Sequence, residues 1–248
     1  MKQLLGLLIV GLLALAGPAA AQSRFSTWTA AVVAADWRDP DGTPIQAFDN
    51  ARRDVVQGFL RAGFERANMV DYSLRPDVAH PTSATAALQG VAEAAARAQG
   101  GCLLYFTSHG ARDGMVFGPD GMITPDRMVN LVRNWCGTRP TVVIVSACFS
   151  GIFIEGLRAP NRMVLTAASR DRASFGCGAD ETYPWFDGCV LEALPAAVDF
   201  LALAAGARAC VARKEAEAAV AWPSQPQLSV GADMQMRLPT LRFTRPPG

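Results

Sequence analysis

Apolar runs rich in β-branched residues alternate along the chain with segments whose apolar positions recur at helical spacing. Strands are predicted at 28–35, 68–72, 103–107, 141–146 and 163–166. Helices are predicted at 47–62, 83–98 and 124–135, since Gly63 ends the first, Ser83 or Thr82 can cap the second, and Thr124 with Pro125 opens the third. Regular alternation of strand and helix predicts an α/β fold, with a mostly parallel sheet and helices on both faces.

Three stretches depart from this alternation. Short apolar runs at 115–117 and 122–123 flank a Gly-Pro-Asp-Gly turn and predict a β-hairpin. An irregular loop is expected at 169–188, followed by helical segments at 189–205 and 207–219. The tail at 222–248 is rich in proline, and 238–243 could form an edge strand.

The first residues have the layout of a secretory signal. Lys2 is the only charged residue before an apolar run at 4–16, and a Gly-Pro pair and three alanines follow, ending at Ala21. The run is too short for a membrane anchor, so no membrane association is expected after cleavage. We therefore predict a signal peptide at 1–21 and an exported, periplasmic or extracellular protein whose residues 22–248 form a single domain.

Composition restricts the function more than it identifies it. Half of the residues are apolar and the formal net charge is +1, so neither nucleic acid nor an acidic membrane surface is an expected partner. Export would allow disulfides among the six cysteines. Two pairs are candidates, Cys177 with Cys189 around a short loop and Cys102 with Cys136 before neighbouring strands, although connectivity does not follow from sequence.

The candidate chemistry lies directly after two of the predicted strands. The strand at 103–107 is followed by Ser108, His109 and Gly110, and the strand at 141–146 is followed by Ala147 and Cys148. Reactive groups in an open parallel sheet collect at the carboxyl ends of the strands. If these strands are neighbours, His109 and Cys148 meet there, as a thiolate–imidazole pair requires.

Such a pair has a defined chemistry. A thiol with a pKa near 8.5 is mostly protonated at neutral pH, and an adjacent imidazolium both lowers that pKa and supplies a proton for the leaving amine. Attack on a carbonyl also creates an oxyanion, which backbone N–H groups can stabilise. Gly110 lets the main chain approach the substrate closely, and the N–H of Cys148 lies beside the nucleophile.

The pattern of strand, Ser-His-Gly, strand and Ala-Cys-x-Ser-Gly resembles the legumain family of cysteine peptidases, relatives of the caspases and of the transamidase that attaches lipid anchors. The resemblance extends over about 28–203 and is specific at the two catalytic segments. It implies a caspase-like three-layer fold, a catalytic dyad of His109 and Cys148, and an oxyanion site at Gly110 and Cys148. It also implies peptide or protein substrates and no cofactor.

The substrate pocket departs from the family pattern. Legumains that cleave after Asn carry an acidic residue two positions before the nucleophile, where this chain has Ser146. Arg38 is a loose match to a pocket arginine after the first strand, and Asp187 could correspond to a third pocket group. Ser169 begins a polar segment at 169–174 that is either a substrate wall or a solvated loop, and Asp187 could instead cap a helix. Asn specificity is therefore not implied.

Other readings of these residues are weaker. No C-x-x-C or H-x-x-x-H spacing is present, so no metal site is predicted. Ser150 lies outside any G-x-S-x-G motif and more simply supports a turn, while His80 precedes a proline in a polar loop. The leading hypothesis is a thiol endopeptidase; the alternatives are a transpeptidase of the same fold and a binding module with an idle dyad.

Overall fold

The computed structural model describes residues 23–39, 41–119 and 121–244, so the predicted signal peptide lies outside the described residues. The strands are β1 (Trp28–Ala34), β2 (Met69–Ser73), β3 (Gly101–Thr107), β4 (Gly110–Ala111), β5 (Gly114–Val116), β6 (Met122–Ile123), β7 (Thr141–Ser146), β8 (Arg162–Thr166) and β9 (Gln227–Val230). The α-helices are α1 (Ala47–Arg61), α2 (Ala84–Arg97), α3 (Pro125–Cys136), α4 (Ile152–Leu157), α5 (Trp185–Ala193), α6 (Phe200–Glu217) and α7 (Ala232–Arg237). Two 3-10 turns lie at Arg66–Asn68 and Leu238–Thr240.

A six-stranded sheet in the order β2-β1-β3-β7-β8-β9 forms the centre of the molecule. Its first five strands are parallel and are the five that the sequence predicts, and β9 is antiparallel to β8. The strands β3 and β7 are direct neighbours, and their last register pair is Thr107 with Ser146. The segments after these two strands therefore leave the sheet side by side.

Helices cover both faces of this sheet, as the three-layer prediction requires. Helices α1, α5 and α6 pack on one face around a core that includes Tyr105 and Ile144. Helices α2, α3 and α4 pack on the other face, around Phe106 and Val145. Because successive residues of a strand point to opposite faces, β3 and β7 contribute alternate side chains to the two cores.

A second, small sheet follows His109 and consists of β4, β5 and β6. The β5–β6 hairpin is the predicted one, whereas β4 was not anticipated. The N–H of Val116 donates to the His109 carbonyl at 3.0 Å, and the Ser108 hydroxyl donates to the Val116 carbonyl at 2.8 Å. These bonds hold the histidine-bearing segment against the hairpin.

Two element predictions in the C-terminal part are wrong. The helices break at 194–199, where the Asp199 side chain caps α6, so Gly206 lies inside that helix. The edge strand is β9, and 238–243 contains a 3-10 turn instead. A side-chain cap on the backbone outweighed the helix-breaking tendency of one glycine. None of the helices within the described ranges has the length and apolarity needed to cross a bilayer.

One disulfide prediction is confirmed and the other is wrong. Cys102 is bonded to Cys136, as expected for positions next to neighbouring strands. Cys189 is bonded to Cys210 and not to Cys177. Both partners are buried where α5 packs against α6, whereas Cys177 lies in the preceding loop and keeps a free thiol.

Candidate active site

His109 and Cys148 follow the two central strands by the same number of residues. Each lies two positions beyond a member of the Thr107–Ser146 register pair, on the same edge of the sheet. Gly110 lies directly against the backbone of Cys148, because a Cβ atom built on Gly110 would be 2.0 Å from the Cys148 carbonyl oxygen. The predicted meeting of these segments at one carboxyl edge is therefore present.

The imidazole of His109 contacts residues that follow β1 and residues of α1. Its Nε2 lies 2.6 Å from the Arg38 carbonyl oxygen, and its ring meets the Phe48 ring edge-on at 5.0 Å. A carbonyl oxygen can only accept, so Nε2 must carry the proton of this hydrogen bond. In the neutral ring Nδ1 is then unprotonated and can act as a base.

The sulfur of Cys148 is half-buried and contacts several hydrogen-bond donors. The Ser174 N–H donates to it at 3.3 Å, the Ser174 hydroxyl lies 3.5 Å away, and the protonated thiol can itself donate to the Ser174 carbonyl at 3.4 Å. A hydrogen bond from Cys177, joined by those from Ser174 and by the nearby His109, lowers the pKa of the Cys148 thiol to about 6 although burial opposes the shift. Donors to a thiolate favour its charged form, so Cys148 is largely ionised at neutral pH.

The turn after Cys148 has a constrained backbone. Phe149 adopts a φ of 57°, in the left-handed region, and its N–H donates to the Arg172 carbonyl at 2.8 Å. Ser150 is completely buried, and its hydroxyl accepts from the Ala168 N–H at 3.2 Å. The hydroxyl thus fastens the turn to the end of β8, in keeping with a supporting role for this serine.

Asp187, in α5, contacts the last residues of β3 and β7 and is completely buried. Its carboxylate accepts hydrogen bonds from the hydroxyls of Tyr105, Thr107 (2.7 Å) and Ser146 (2.9 Å). Burial raises the pKa of this carboxyl to about 6, against the opposing effect of the three hydroxyl donors. Asp187 does not cap α5, because that helix begins at Trp185; its role in substrate binding stays a prediction.

The other two pocket candidates have partners of their own. The Arg38 guanidinium binds the Asp36 carboxylate at 2.9 Å and the carbonyls of Gly118 and Pro119 at 3.3 and 3.2 Å. The Ser169 hydroxyl donates to Asp171 at 2.8 Å. Ser169 lies close to the catalytic turn, since a Cβ on Gly151 would meet its backbone at 2.7 Å. Substrate contact by Ser169 remains a prediction.

Several neighbours of His109 and Cys148 were not anticipated from the sequence. They are the Arg38 carbonyl, the Phe48 ring, and the side chains of Ser174 and Cys177. A carbonyl carries no sequence signal, and the contact of Phe48 depends on how α1 packs against the sheet. The positions of Ser174 and Cys177 depend on how the long loop before α5 folds back over the sheet edge.

Comparisons with known proteins agree with the site. The sequence profile of the Peptidase C13 family matches residues 82–192, which include both His109 and Cys148. A solved structure of caspase-1 from Spodoptera frugiperda superposes with a TM-score of 0.61 at 14% identity, covering 84% of this chain and 88% of that chain. Comparison with curated protein sequences returns no significant match. The family match over 82–192 and the caspase-like fold confirm the resemblance to the legumain family and indicate that the chain is a cysteine-type peptidase, a hydrolase.

Proposed function

We propose that the protein is an endopeptidase in which Cys148 is the nucleophile and His109 the general base and acid. The observation that carries this proposal is the parallel pairing of β3 with β7, which brings the two residues to one edge in matching register. The bond from His109 Nε2 to the Arg38 carbonyl supports the role of base, because it leaves Nδ1 free to exchange a proton. No cofactor is needed for this chemistry.

The reaction proceeds in two halves. His109 Nδ1 takes the proton of the Cys148 thiol, the thiolate attacks the carbonyl carbon of the scissile bond, and the resulting oxyanion is stabilised by backbone N–H groups near Gly110 and Cys148. The C–N bond then breaks, and the imidazolium of His109 gives its proton to the leaving amine, which produces a thioester. His109 next removes a proton from water, the hydroxide attacks the thioester, and the acid product is released while the thiol is regenerated.

A peptide library analysed by mass spectrometry tests this proposal. We expect new carboxyl termini that contain an oxygen from ¹⁸O-labelled water, which hydrolysis requires and transfer of the acyl group to an amine does not produce. Cys148→Ala should remove all cleavage, while His80→Ala, which changes an exposed loop residue, should cleave at the wild-type rate. Cleavage that persists in folded Cys148→Ala, or no cleavage by the wild-type chain, would overturn the proposal.

A further inference from the structure

The nucleophile has a second thiol beside it. Four cysteines form the disulfides Cys102–Cys136 and Cys189–Cys210, and both Cys148 and Cys177 remain free. Cys177 lies close enough to the Cys148 thiol to lower its pKa, and Ser174 of the same loop donates its N–H to the Cys148 sulfur at 3.3 Å. The bond changes and proton transfers of the proposed peptidase reaction involve only Cys148 and His109, so the thiol of Cys177 is free for a further role.

Cys177 has neighbours that contact His109 and neighbours that contact Cys148. Its side chain packs against the cluster formed by Ala34, Ile45, Ala47 and Phe48. Phe48 in turn contacts the His109 ring, at 5.0 Å between centroids. Ser174, three residues before Cys177, contacts the Cys148 sulfur. Cys177 therefore lies next to residues that contact the base and close to the loop residue that contacts the nucleophile.

The loop that carries Cys177 is itself anchored. Gly176 adopts a φ of +81°, and a Cβ built on it would lie 2.2 Å from the Trp185 ring. The Trp185 N–H donates to the Phe175 carbonyl at 3.0 Å, and the rings of these two residues pack at 5.4 Å. This packing holds the loop against the start of α5, so Cys177 stays near Cys148.

We propose that Cys148 and Cys177 form a reversible disulfide when the protein reacts with hydrogen peroxide. The Cys148 thiolate attacks the peroxide, breaks the O–O bond, and becomes a sulfenic acid while hydroxide leaves. The Cys177 sulfur then attacks the sulfenic sulfur, and its proton leaves with the hydroxyl group as water. In total two thiols are oxidised, one peroxide is reduced, and two waters form.

The environment of the two sulfurs supports this order of events. Hydrogen bonds from Cys177 and Ser174 lower the pKa of the Cys148 thiol, so Cys148 supplies the thiolate that reacts first. The pKa of Cys177 is raised, chiefly by its hydrogen bond to Cys148, so Cys177 remains a thiol until the sulfenic acid forms. The disulfide prevents further oxidation of Cys148 to the sulfinic acid, which cannot be reduced by thiols.

Peptide mapping tests the linkage without any use of activity. The folded wild-type chain is treated with hydrogen peroxide, free thiols are blocked with iodoacetamide, and the protein is digested with trypsin and Glu-C. These proteases place Cys177 in a fragment at 173–181, separate from Cys189. Cys148 lies in a fragment at 134–155, which the Cys102–Cys136 disulfide already joins to the fragment at 98–112. We expect peroxide to join the fragments at 173–181 and 134–155, and brief dithiothreitol treatment of the folded protein to separate them. Fragments that remain unjoined, with Cys148 either over-oxidised or unmodified, would overturn the proposal.

A variant supplies the functional readout. In Cys177→Ser we expect peroxide to convert Cys148 to sulfinic or sulfonic acid, and dithiothreitol to restore none of the lost peptidase activity. In the wild type most of the activity should return, a result that rests on the proposed peptidase function. Equal recovery in Cys177→Ser would contradict the role of Cys177. If neither protein cleaves peptides, the peptidase proposal fails while the mapped linkage still decides this one.

Discussion

Two layers of polar residues occur at the carboxyl ends of β3 and β7, two positions apart along each segment. The upper layer contains His109 and Cys148 at the open edge, and the lower layer contains Thr107 and Ser146 around the Asp187 carboxylate. In both layers hydrogen-bond donors surround an acidic group. In the upper layer donors outweigh burial and the pKa of Cys148 falls.

In the lower layer the balance is reversed. Asp187 is completely buried, and burial raises its pKa despite three hydroxyl donors. The difference shows that depth below the sheet edge, as well as the number of donors, sets the direction in which each pKa moves. The opposite shifts bring the Cys148 thiol and the Asp187 carboxyl to a similar pKa of about 6.

The largest expected effect is the loss of kcat/KM when the base in the upper layer, His109, is replaced. His109→Ala should lower kcat/KM by about 10²- to 10⁴-fold, because proton transfer in both halves of the reaction depends on the imidazole. His80→Ala is the matched control and should leave kcat/KM unchanged, since His80 is exposed in a loop. Equal effects of the two substitutions, measured on one peptide substrate, would remove His109 from the mechanism.

The raised pKa of Asp187 in the lower layer can be tested through the pH dependence of the unfolding free energy. The folded-state pKa of Asp187, about 6, lies above the unfolded value, so its contribution to stability is present below pH 4 and is lost as pH rises through 6. Raising the pKa of this carboxyl from 3.8 to about 6 corresponds to roughly 3 kcal/mol of unfolding free energy. Asp187→Asn removes this contribution while keeping the size of the side chain.

Between pH 4 and pH 7 we therefore expect the unfolding free energy of Asp187→Asn to gain roughly 3 kcal/mol relative to the wild type. Urea unfolding of both proteins at several pH values measures the difference directly, and groups that titrate equally in both proteins cancel. A constant difference over this pH range would show that Asp187 is ionised throughout, which contradicts the contrast between the layers.

The contact between the strand ends can be altered by one methyl group. In Gly110→Ala the added Cβ meets the Cys148 carbonyl, so we expect a loss of about 1–3 kcal/mol in unfolding free energy and a lower kcat. Gly178→Ala is the control, because a Cβ there has no atom within 4 Å. If both variants behave like the wild type, the two segments are not in close contact.

A smaller effect is expected in substrate preference. The Ser146 hydroxyl is bonded to Asp187, and the Arg38 guanidinium is bonded to Asp36 and the hairpin carbonyls. Neither matches the groups that Asn-specific relatives use to recognise a side-chain amide. We expect Asn before the cut to be favoured by less than about tenfold over other residues in a peptide library. A profile dominated by Asn would show that these side chains rearrange when substrate binds.

The sequence predicts the strands that position His109 and Cys148 better than it predicts the loop residues that contact them. Strand periodicity places His109 and Cys148 after neighbouring strands, and the caps at Ser83 and Thr124 are found in the structure. The contacts of Cys177 could not be predicted, because they depend on the course of the long loop at 169–184. The partner of Cys189 was missed for a related reason, since the break between α5 and α6 was placed at the wrong residue.

The most direct test of the contrast between the layers is the rate of Cys148 alkylation by iodoacetamide as a function of pH. Mass spectrometry of the fragment at 134–155 measures this rate whether or not the protein cleaves peptides. We predict a midpoint near pH 6 for the wild type and a higher midpoint for Cys177→Ala, which lacks the first hydrogen bond to the thiolate. A wild-type midpoint near 8.5, the ordinary value for a thiol, unchanged in Cys177→Ala, would contradict the account.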